Sequence, residues 1–186
     1  MAPVAIVDYD PAWPGQFEEL AAALRRQLGG GALGIDHIGS TSVPGLAAKD
    51  VIDLQVTVTD LAAADRLAPA FERAGYVPSP YRRDHQPAGD ASDPGRWEKR
   101  LWQSPPGARR VNAHVRVAGW PNQRYALLFR DYLRARPAAA SAYARLKLAL
   151  AERFGGDLAA YTEVKDHACD LIVVAAEDWA AGRAER

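Results

Sequence analysis

The chain has 186 residues, 48% of them hydrophobic, and its 23 basic residues balance its 23 acidic residues. This size suits one domain with a sizeable core, and neutrality gives no general attraction for nucleic acid or an anionic membrane. The single cysteine excludes an intrachain disulfide. No stretch approaches the roughly 20 apolar residues of a membrane span, and the N-terminus lacks a signal-peptide pattern. We therefore expect a cytoplasmic protein that binds neither nucleic acid nor membrane.

The N-terminal segment predicts a short strand at residues 4–7 followed by an amphipathic helix. Asp10 and Pro11 are typical of a helix start, because Asp caps free amides and Pro fits the first turn. Three glycines at residues 29–31 then end the helix. The apolar face has members at steps of three and four, which places them in the core: Trp13, Phe17, Leu20, Leu24 and Leu28.

Residues 35–58 predict two strands joined by a turn. An apolar run at residues 35–38 leads into the turn, and Pro44 and Gly45 continue it as a loop. From Val51 onward, apolar and polar residues alternate with a period of two, which indicates a strand with one apolar and one polar face. The apolar set is Ile52, Leu54, Val56 and Val58, and the polar set is Asp53, Gln55 and Thr57.

The turn has the chemistry of an anion site. Gly39 can adopt backbone angles that bring amides close to a ligand, and such loops hold phosphate. Hydroxyl donors follow at Ser40, Thr41 and Ser42. Asp53 on the next strand is a candidate ligand for Mg²⁺, which prefers carboxylate and phosphate oxygens. The same residues also fit a plain Ser/Thr-rich turn beside a solvated carboxylate.

The middle of the chain predicts a second helix, capped by Asp60 and ended by Gly75, and then a strand near residue 76. Residues 78–95 contain four prolines and two glycines and are predicted as a long loop. A loop of this length in a compact domain is often functional. We expect His85 in this loop to be solvated.

Residues 97–103 and 110–117 predict a pair of strands joined at residues 105–107. Alternation places Arg100 on one face of the first strand and Lys99 on the other, and it places His114 on a polar face of the second. If the apolar faces pack on helices, Asp53 and His114 line one cleft. Residues 81–110 hold seven Lys or Arg and four acids, a local excess that suits a small polyanion better than a nucleic-acid track.

The last third of the chain predicts three helices, beginning near Pro121, before Tyr143 and at Asp157. Tyr161 and Lys165 are four residues apart and therefore share a face of the third helix. Lys165 is a candidate partner for phosphate while Tyr161 packs on a base or sugar. The alternative is a surface lysine beside a core tyrosine.

Several segments together resemble the GrpB family. They are HIGSTSVPGL at residues 37–46, Lys49, the Val-Ile-Asp at residues 51–53, and the C-terminal segments FRDYLRARP, AYARLK and YTEVK. The resemblance implies an α/β (α+β) fold of nucleotidyltransferase type over residues 1–186. In it, residues 1–120 form a small mixed sheet with helices packed on one face, and residues 121–186 form C-terminal helices. The family also occurs fused behind dephospho-CoA kinase.

The resemblance also implies a chemistry. The superfamily signature is Gly-Ser in a turn and, about a dozen residues later, two acids separated by one residue. Gly39, Ser40 and Asp53 match it, whereas Gln55 replaces the second acid and would weaken Mg²⁺ binding. The implied activity is transfer of a nucleotidyl or phosphoryl group from a nucleoside triphosphate to a small-molecule acceptor. In this scheme His114 acts as acid, base or ligand, and the charge is neutralised by Lys49, Arg100 and Lys165.

Other functions remain open at this point. The missing second carboxylate favours a degenerate module that binds a nucleotide or CoA, or that assists a protein partner. A metal centre of His37, His114 and Asp53 has suitable ligand types but no local ligand spacing. A hydrolase triad of Ser40, His114 and Asp53 lacks the Gly-x-Ser-x-Gly elbow, and no Walker sequence is present.

Overall fold

The computed structural model describes residues 4–184 and shows a five-stranded mixed sheet with helices on both faces. The strand order is β1-β2-β5-β4-β3, in which β2 and β5 are parallel and the other pairs antiparallel. The strands are β1 Gly34–Ile38, β2 Ile52–Val58, β3 Val77–Pro78, β4 Arg100–Gln103 and β5 Val111–Val117. The helices are α1 Trp13–Leu28, α2 Leu61–Arg66, α3 Ala68–Arg73, α4 Pro121–Ala135, α5 Pro137–Phe154 and α6 Leu158–Ala184.

The N-terminal helices α1 to α3 cover one face of the sheet. Trp13, Phe17 and Leu24 of α1 are buried in one cluster with Leu54 and Val56 of β2, as their spacing predicts. Burial of large apolar side chains contributes about 1.5–3 kcal/mol each, so this cluster is the main stabilising layer.

The predicted second helix is in fact two short helices, α2 and α3. The cap at Asp60 is confirmed, since its carboxylate accepts a hydrogen bond from the amide of Ala63 at 2.6 Å. Pro69 occupies the first turn of α3. A proline there cannot donate a backbone hydrogen bond to the preceding helix, so one helix ends and another begins.

Three other element boundaries differ from the sequence prediction. Residues 4–7 form no regular strand, and only Val7 pairs with Ala48 in an isolated bridge. The first helix begins at Trp13, because Asp10 uses its carboxylate to accept from the amide of Ala12 in a preceding turn. β4 begins at Arg100, since residues 94–97 form a 3₁₀ turn.

The C-terminal helices form the second layer. Phe129 of α4, Tyr143 of α5 and Val173 of α6 are buried together with Val43 and Leu46 of the loop that follows β1. The predicted helix starts at Pro121 and Asp157 are confirmed, and α6 continues past Trp179. Among the described residues, no helix has both the length and the apolar character needed to cross a membrane.

The sheet register puts the polar residues of two strands on one face. Asp53 lies opposite Asn112, and Gln55 lies opposite His114, across the parallel β2–β5 pair. The alternate residues of both strands face α1 to α3. α4 approaches the polar face, where the Gln55 amide donates to the carbonyl of Gln123 at 3.3 Å. The prediction that the polar residues of the two strands lie on one face of the sheet is confirmed.

Candidate functional site

Gly39 brings the turn after β1 against the carboxylate of Asp53. Gly39 has φ +69°, in the left-handed region that glycine adopts without strain. A Cβ at this position would lie 2.7 Å from Asp53 Oδ2, closer than such atoms can approach. The glycine and the acid of the sequence motif are therefore in direct spatial contact, although 14 positions separate them.

The three hydroxyls of the turn have different surroundings. Thr41 is buried and its hydroxyl bonds with His37 Nε2 at 3.0 Å, while the Ser42 hydroxyl donates to the carbonyl of Gly39 at 2.6 Å. The Ser40 hydroxyl instead accepts a hydrogen bond from the ammonium of Lys147 at 2.8 Å. Two of the three hydroxyls thus hold the turn together, and Ser40 is the one placed beside a cation.

The contacts that orient the Asp53 carboxylate are made to one of its two oxygens, Oδ1. Asn112 donates to Oδ1 at 2.9 Å, and His114 Nε2 lies 3.5 Å from the same atom, while Oδ2 faces the Gly39 turn. Burial alone would raise the pKa of Asp53, but hydrogen bonds from His114 and Asn112 and the charge of Lys49 keep it below its usual value. The side chain is 28% exposed, so an ionised oxygen is accessible to a ligand.

His114 is positioned as a hydrogen-bond donor to Asp53. Its Nδ1 lies 3.4 Å from the Lys99 ammonium and 3.3 Å from the Arg116 guanidinium, both of which only donate. Nδ1 therefore accepts, which assigns the ring proton to Nε2. Burial, Arg116 and Lys99 together lower the pKa of His114 to about 4, so the ring is neutral at pH 7. This tautomer has no lone pair directed at the cleft.

A cluster of lysines lies beside Ser40 and Asp53, and we call these five residues the lysine cleft: Ser40, Lys49, Asp53, Lys147 and Lys165. Burial, followed by the charges of Lys165 and Lys49, lowers the pKa of Lys147 to about 7. Burial and the Lys165 charge likewise lower the pKa of Lys49. Lys165 contacts the carboxylate of Asp166 at 2.5 Å. Three lysines thus lie close enough for their charges to repel one another, and a bound anion would relieve this repulsion.

A second buried set of charges centres on the loop residue Asp84, and we call it the Asp84 network. Asp84 accepts hydrogen bonds from Lys99 at 2.5 Å and from Arg116 at 2.8 and 3.0 Å. Asn122 of α4 donates to the same carboxylate at 3.1 Å. Burial opposes ionisation, but Arg116 and Lys99 hold the pKa of Asp84 far below its usual value. Arg116 also donates to the Gln55 side-chain oxygen at 2.8 Å.

This arrangement limits how a divalent cation could be held in the lysine cleft. Asp53 is its one strand carboxylate, and the Gln55 oxygen is already bonded to Arg116. Mg²⁺ is commonly bound by one or two carboxylates plus substrate phosphates, so Asp53 Oδ2 fits such an ion only if phosphate oxygens complete the coordination.

The structure does not bring every predicted residue to this site. Arg100 lies opposite Val115, so it is on the face of α1 to α3, where it makes a two-point ion pair with Asp65 of α2 at 2.6 and 3.0 Å. The alternation of side chains from Lys99, which directly precedes β4, into Arg100 therefore directs Lys99, not Arg100, towards His114. His37 also lies on the face covered by α1 to α3, where its ring stacks on that of Phe17 with centroids 4.6 Å apart. The sheet therefore separates His37 from the Asp53–His114 pair.

Tyr161 and Lys165 do share a face of α6, at the lysine cleft. Tyr161 is fully buried, and the Lys49 ammonium lies 5.2 Å from the centre of its ring. Among the described residues, none is a hydrogen-bond partner for the Tyr161 hydroxyl. Buried hydroxyls nearly always have a partner, so this atom is suited to a water or ligand.

Two residues that organise these sites, Lys147 and Asp84, were not predicted from the sequence. Lys147 lies four residues after Tyr143, so helical spacing places it on the buried face of α5. A lysine on such a face is a usable signal, because lysine is rarely buried without a partner. Asp84 is one of several acids in the loop, and no local pattern distinguishes it.

Known proteins resemble the chain over most of its length. The family model described as GrpB protein matches residues 3–174. A dephospho-CoA kinase of Mycolicibacterium paratuberculosis is 42% identical over 192 residues, which cover 96% of this chain and 47% of the kinase. The chain thus spans about half the length of the dephospho-CoA kinases that it matches.

The chain is also similar to solved structures, one with substantial sequence identity and one with little. The crystal structure of the conserved protein GrpB from Enterococcus faecalis has a TM-score of 0.75 and 35% identity, covering 94% of this chain and 99% of that one. The Cid1 poly(U) polymerase with magnesium and 3′-dATP bound has a TM-score of 0.52 and 14% identity, covering 86% of this chain and 49% of the polymerase. The predicted nucleotidyltransferase-like α+β fold is confirmed.

Proposed function

Because the chain belongs to the GrpB family and has a nucleotidyltransferase-like fold, we propose that it binds a nucleoside triphosphate in the lysine cleft. We further propose that it transfers a nucleotidyl or phosphoryl group from this nucleotide to a small-molecule acceptor. The observation that carries the proposal is the convergence of three lysines, and hence of repelling positive charge, beside Ser40 and Asp53. Phosphate oxygens would neutralise this charge and also complete the coordination of Mg²⁺ at Asp53 Oδ2.

Each residue of the cleft has a role in this proposal. Lys147, held against Ser40 by a 2.8 Å hydrogen bond, would bind a terminal phosphate together with Lys49 and Lys165. Tyr161 supports Lys49 through its ring, and Lys165 is restrained by Asp166. His114 is assigned the role of a positioning residue, because its Nε2 proton is directed at Asp53. Mg²⁺ would neutralise charge on the phosphates and the leaving group.

In the proposed nucleotidyl transfer, the acceptor attacks the nucleotide and displaces pyrophosphate. The oxygen of an acceptor hydroxyl forms a bond to the α-phosphorus, and the bond from that phosphorus to the bridging β-phosphate oxygen breaks. Pyrophosphate leaves with the bonding electrons, and the hydroxyl proton passes to water. The lysine cleft would stabilise the charge that develops on the departing phosphates.

A second candidate function is nucleotide or CoA binding without group transfer. It is favoured by the bond between Gln55 and Arg116, which occupies the side chain that stands in place of a second carboxylate. The identity with part of a dephospho-CoA kinase makes CoA and dephospho-CoA reasonable ligands to test. A binding module that relies on lysines alone would hold its ligand equally well without Mg²⁺.

Calorimetric titration with ATP, GTP, CTP, UTP, CoA and dephospho-CoA, each with and without Mg²⁺, tests both candidates. For the transferase we expect Mg²⁺ to strengthen binding of one nucleotide, and Asp53→Asn to remove that effect and the turnover. Asp60→Asn is the matched control, since it changes the same group at the α2 cap and Asn also caps helices. Binding indifferent to Mg²⁺ supports the module, and no binding of any ligand rejects both.

A further inference from the structure

Two histidines and a carboxylate lie together outside the lysine cleft. His85 is in the long loop between β3 and β4, whereas His167 and Asp170 are on α6. One ligand atom from each of the three lies within 4.8 Å of the others. His85 Nε2 is 2.8 Å from Asp170 Oδ2, and the rings of His85 and His167 meet edge to face with centroids 6.0 Å apart. His85 is exposed, as the sequence predicts, and it also contacts Asp170 and His167 of α6.

The donor set matches what a first-row transition metal binds. Two imidazoles and one carboxylate form a recurrent ligand set for catalytic zinc and for non-haem iron, with further positions left to water. Zinc–nitrogen bonds are about 2.0 Å long, so tetrahedral binding would bring the three donor atoms to roughly 3.3 Å from one another. Both histidine side chains are exposed, so rotation of their rings can supply the small movement required.

The carboxylate already has the support that metal ligands usually have. Tyr125 of α4 donates its hydroxyl hydrogen to Asp170 Oδ1 at 3.0 Å, which leaves Oδ2 directed at His85. Metal-bound carboxylates are typically oriented by a second hydrogen bond of this kind, which fixes the atom presented to the ion. His167 and Asp170 are three residues apart and thus lie on the same side of α6.

From these contacts we propose that His85, His167 and Asp170 bind one first-row divalent transition metal ion, with zinc as the best match. The ion would join the loop to α6. His85 directly follows Asp84, and His167 lies two residues after Lys165, so the site connects segments of the Asp84 network and the lysine cleft. This inference is independent of the proposed nucleotide activity, because none of the three ligands belongs to the lysine cleft.

The test is titration of the untagged, chelator-stripped full chain with Co²⁺, followed by visible absorption, and with Zn²⁺ by calorimetry, both without nucleotide. We expect one equivalent to bind and to raise the melting temperature, because the ligands converge only in the folded state. His85→Ala and His167→Ala should each abolish this binding. Tyr125→Phe should weaken it about 10- to 100-fold, as loss of an outer hydrogen bond does at other metal sites.

Glu163→Gln is the matched control, because Glu163 is an exposed acid on the same helix outside the cluster. It should bind metal as the wild type does. Circular dichroism of each variant confirms that lost binding is not lost folding. The proposal is rejected if the wild type binds neither ion, or if both histidine variants bind with wild-type affinity, which would leave the cluster as a polar contact between loop and helix.

Discussion

The lysine cleft and the Asp84 network lie on the same polar face of the sheet, yet they differ in whether their cations are hydrogen-bonded to a carboxylate. In the network, the Asp84 carboxylate accepts hydrogen bonds directly from both Lys99 and Arg116, and Gln55 and Asn122 complete the set. In the lysine cleft, Lys165 has such a bond to Asp166, whereas Lys147 donates to the Ser40 hydroxyl and to the carbonyl of Ala47, and its pKa is lowered to about 7.

This difference distinguishes buried charge that stabilises the fold from buried charge that is suited to bind a ligand. A buried ionic group that is fully hydrogen-bonded by its own chain makes the fold specific and rigid. Like charges that lie close together lower stability until a ligand of the opposite sign binds, and the pKa shifts that they cause are common at functional sites. His114 stands between the two regions, since Nε2 contacts Asp53 while Nδ1 contacts Lys99 and Arg116.

The largest expected effect is on stability and comes from the Asp84 network. Asp84→Ala leaves Lys99 and Arg116 buried without their carboxylate, and loss of one partner of a buried ion pair costs about 3–5 kcal/mol. We expect urea unfolding to show a decrease of that size in the free energy of unfolding. Asp93→Asn, an exposed cap in the same loop, is the control and should change little, because Asn also caps. A loss below about 1 kcal/mol for Asp84→Ala would show that this network does not stabilise the fold.

An effect of intermediate size is expected from pH, through the histidine that joins the two regions. The folded pKa of His114 is about 4, whereas an unfolded histidine titrates near 6.5. Between these values the unfolded chain binds more protons, so stability falls as pH decreases from 6.5 to 4. A shift of this size corresponds to about 3 kcal/mol.

Measurement of unfolding free energy against pH, in the wild type and in His114→Gln, tests this expectation. The variant should have a shallower slope between pH 6.5 and 4 because it lacks the titrating ring. Some slope should remain, since burial and the charge of Arg134 also lower the pKa of His37 to about 4. Equal slopes in the two proteins would contradict the assignment of a neutral ring at His114.

The smallest effect on stability is expected in the lysine cleft, with the opposite sign. The unfolded lysine keeps its proton up to about pH 10.5, whereas folded Lys147 releases it near pH 7, so burial of this charge costs stability at neutral pH. Lys147→Met removes that cost but leaves Ser40 and the carbonyl of Ala47 without their donor. We expect a net gain of about 1 kcal/mol at pH 7, shrinking towards pH 10.

The same variant should lose ligand affinity. Without the Lys147 ammonium, binding of nucleotide or inorganic triphosphate should weaken at least tenfold, about 1.4 kcal/mol. The proton uptake that accompanies binding at pH 8 should also disappear. Arg145→Met is the control, because Arg145 is exposed on the same helix. If Lys147→Met lost stability and kept its affinity, the lysine cleft would be a structural feature like the Asp84 network.

Local periodicity in the sequence was enough to predict several features of the fold and of the site. Alternation along β2 and β5 placed Asp53 and His114 on the polar faces, and the parallel pairing confirmed that these faces coincide. Helical spacing identified the buried side of α1, and the Gly-Ser turn with its following acid indicated the family. These signals are local, because side chains alternate every two residues in a strand and recur every three to four in a helix.

The contacts between distant charged groups, in contrast, could not be predicted from local patterns. Alternation separates Arg100 from the preceding Lys99, but the register with β5 is what directs Lys99 to His114 and Arg100 to Asp65. Lys147 reaches Ser40 across 107 positions of sequence, and Asp84 reaches Arg116 across 32. Such contacts depend on how the helices and the long loop pack on the sheet. The partners of a charged side chain are the groups that this packing places within hydrogen-bonding distance.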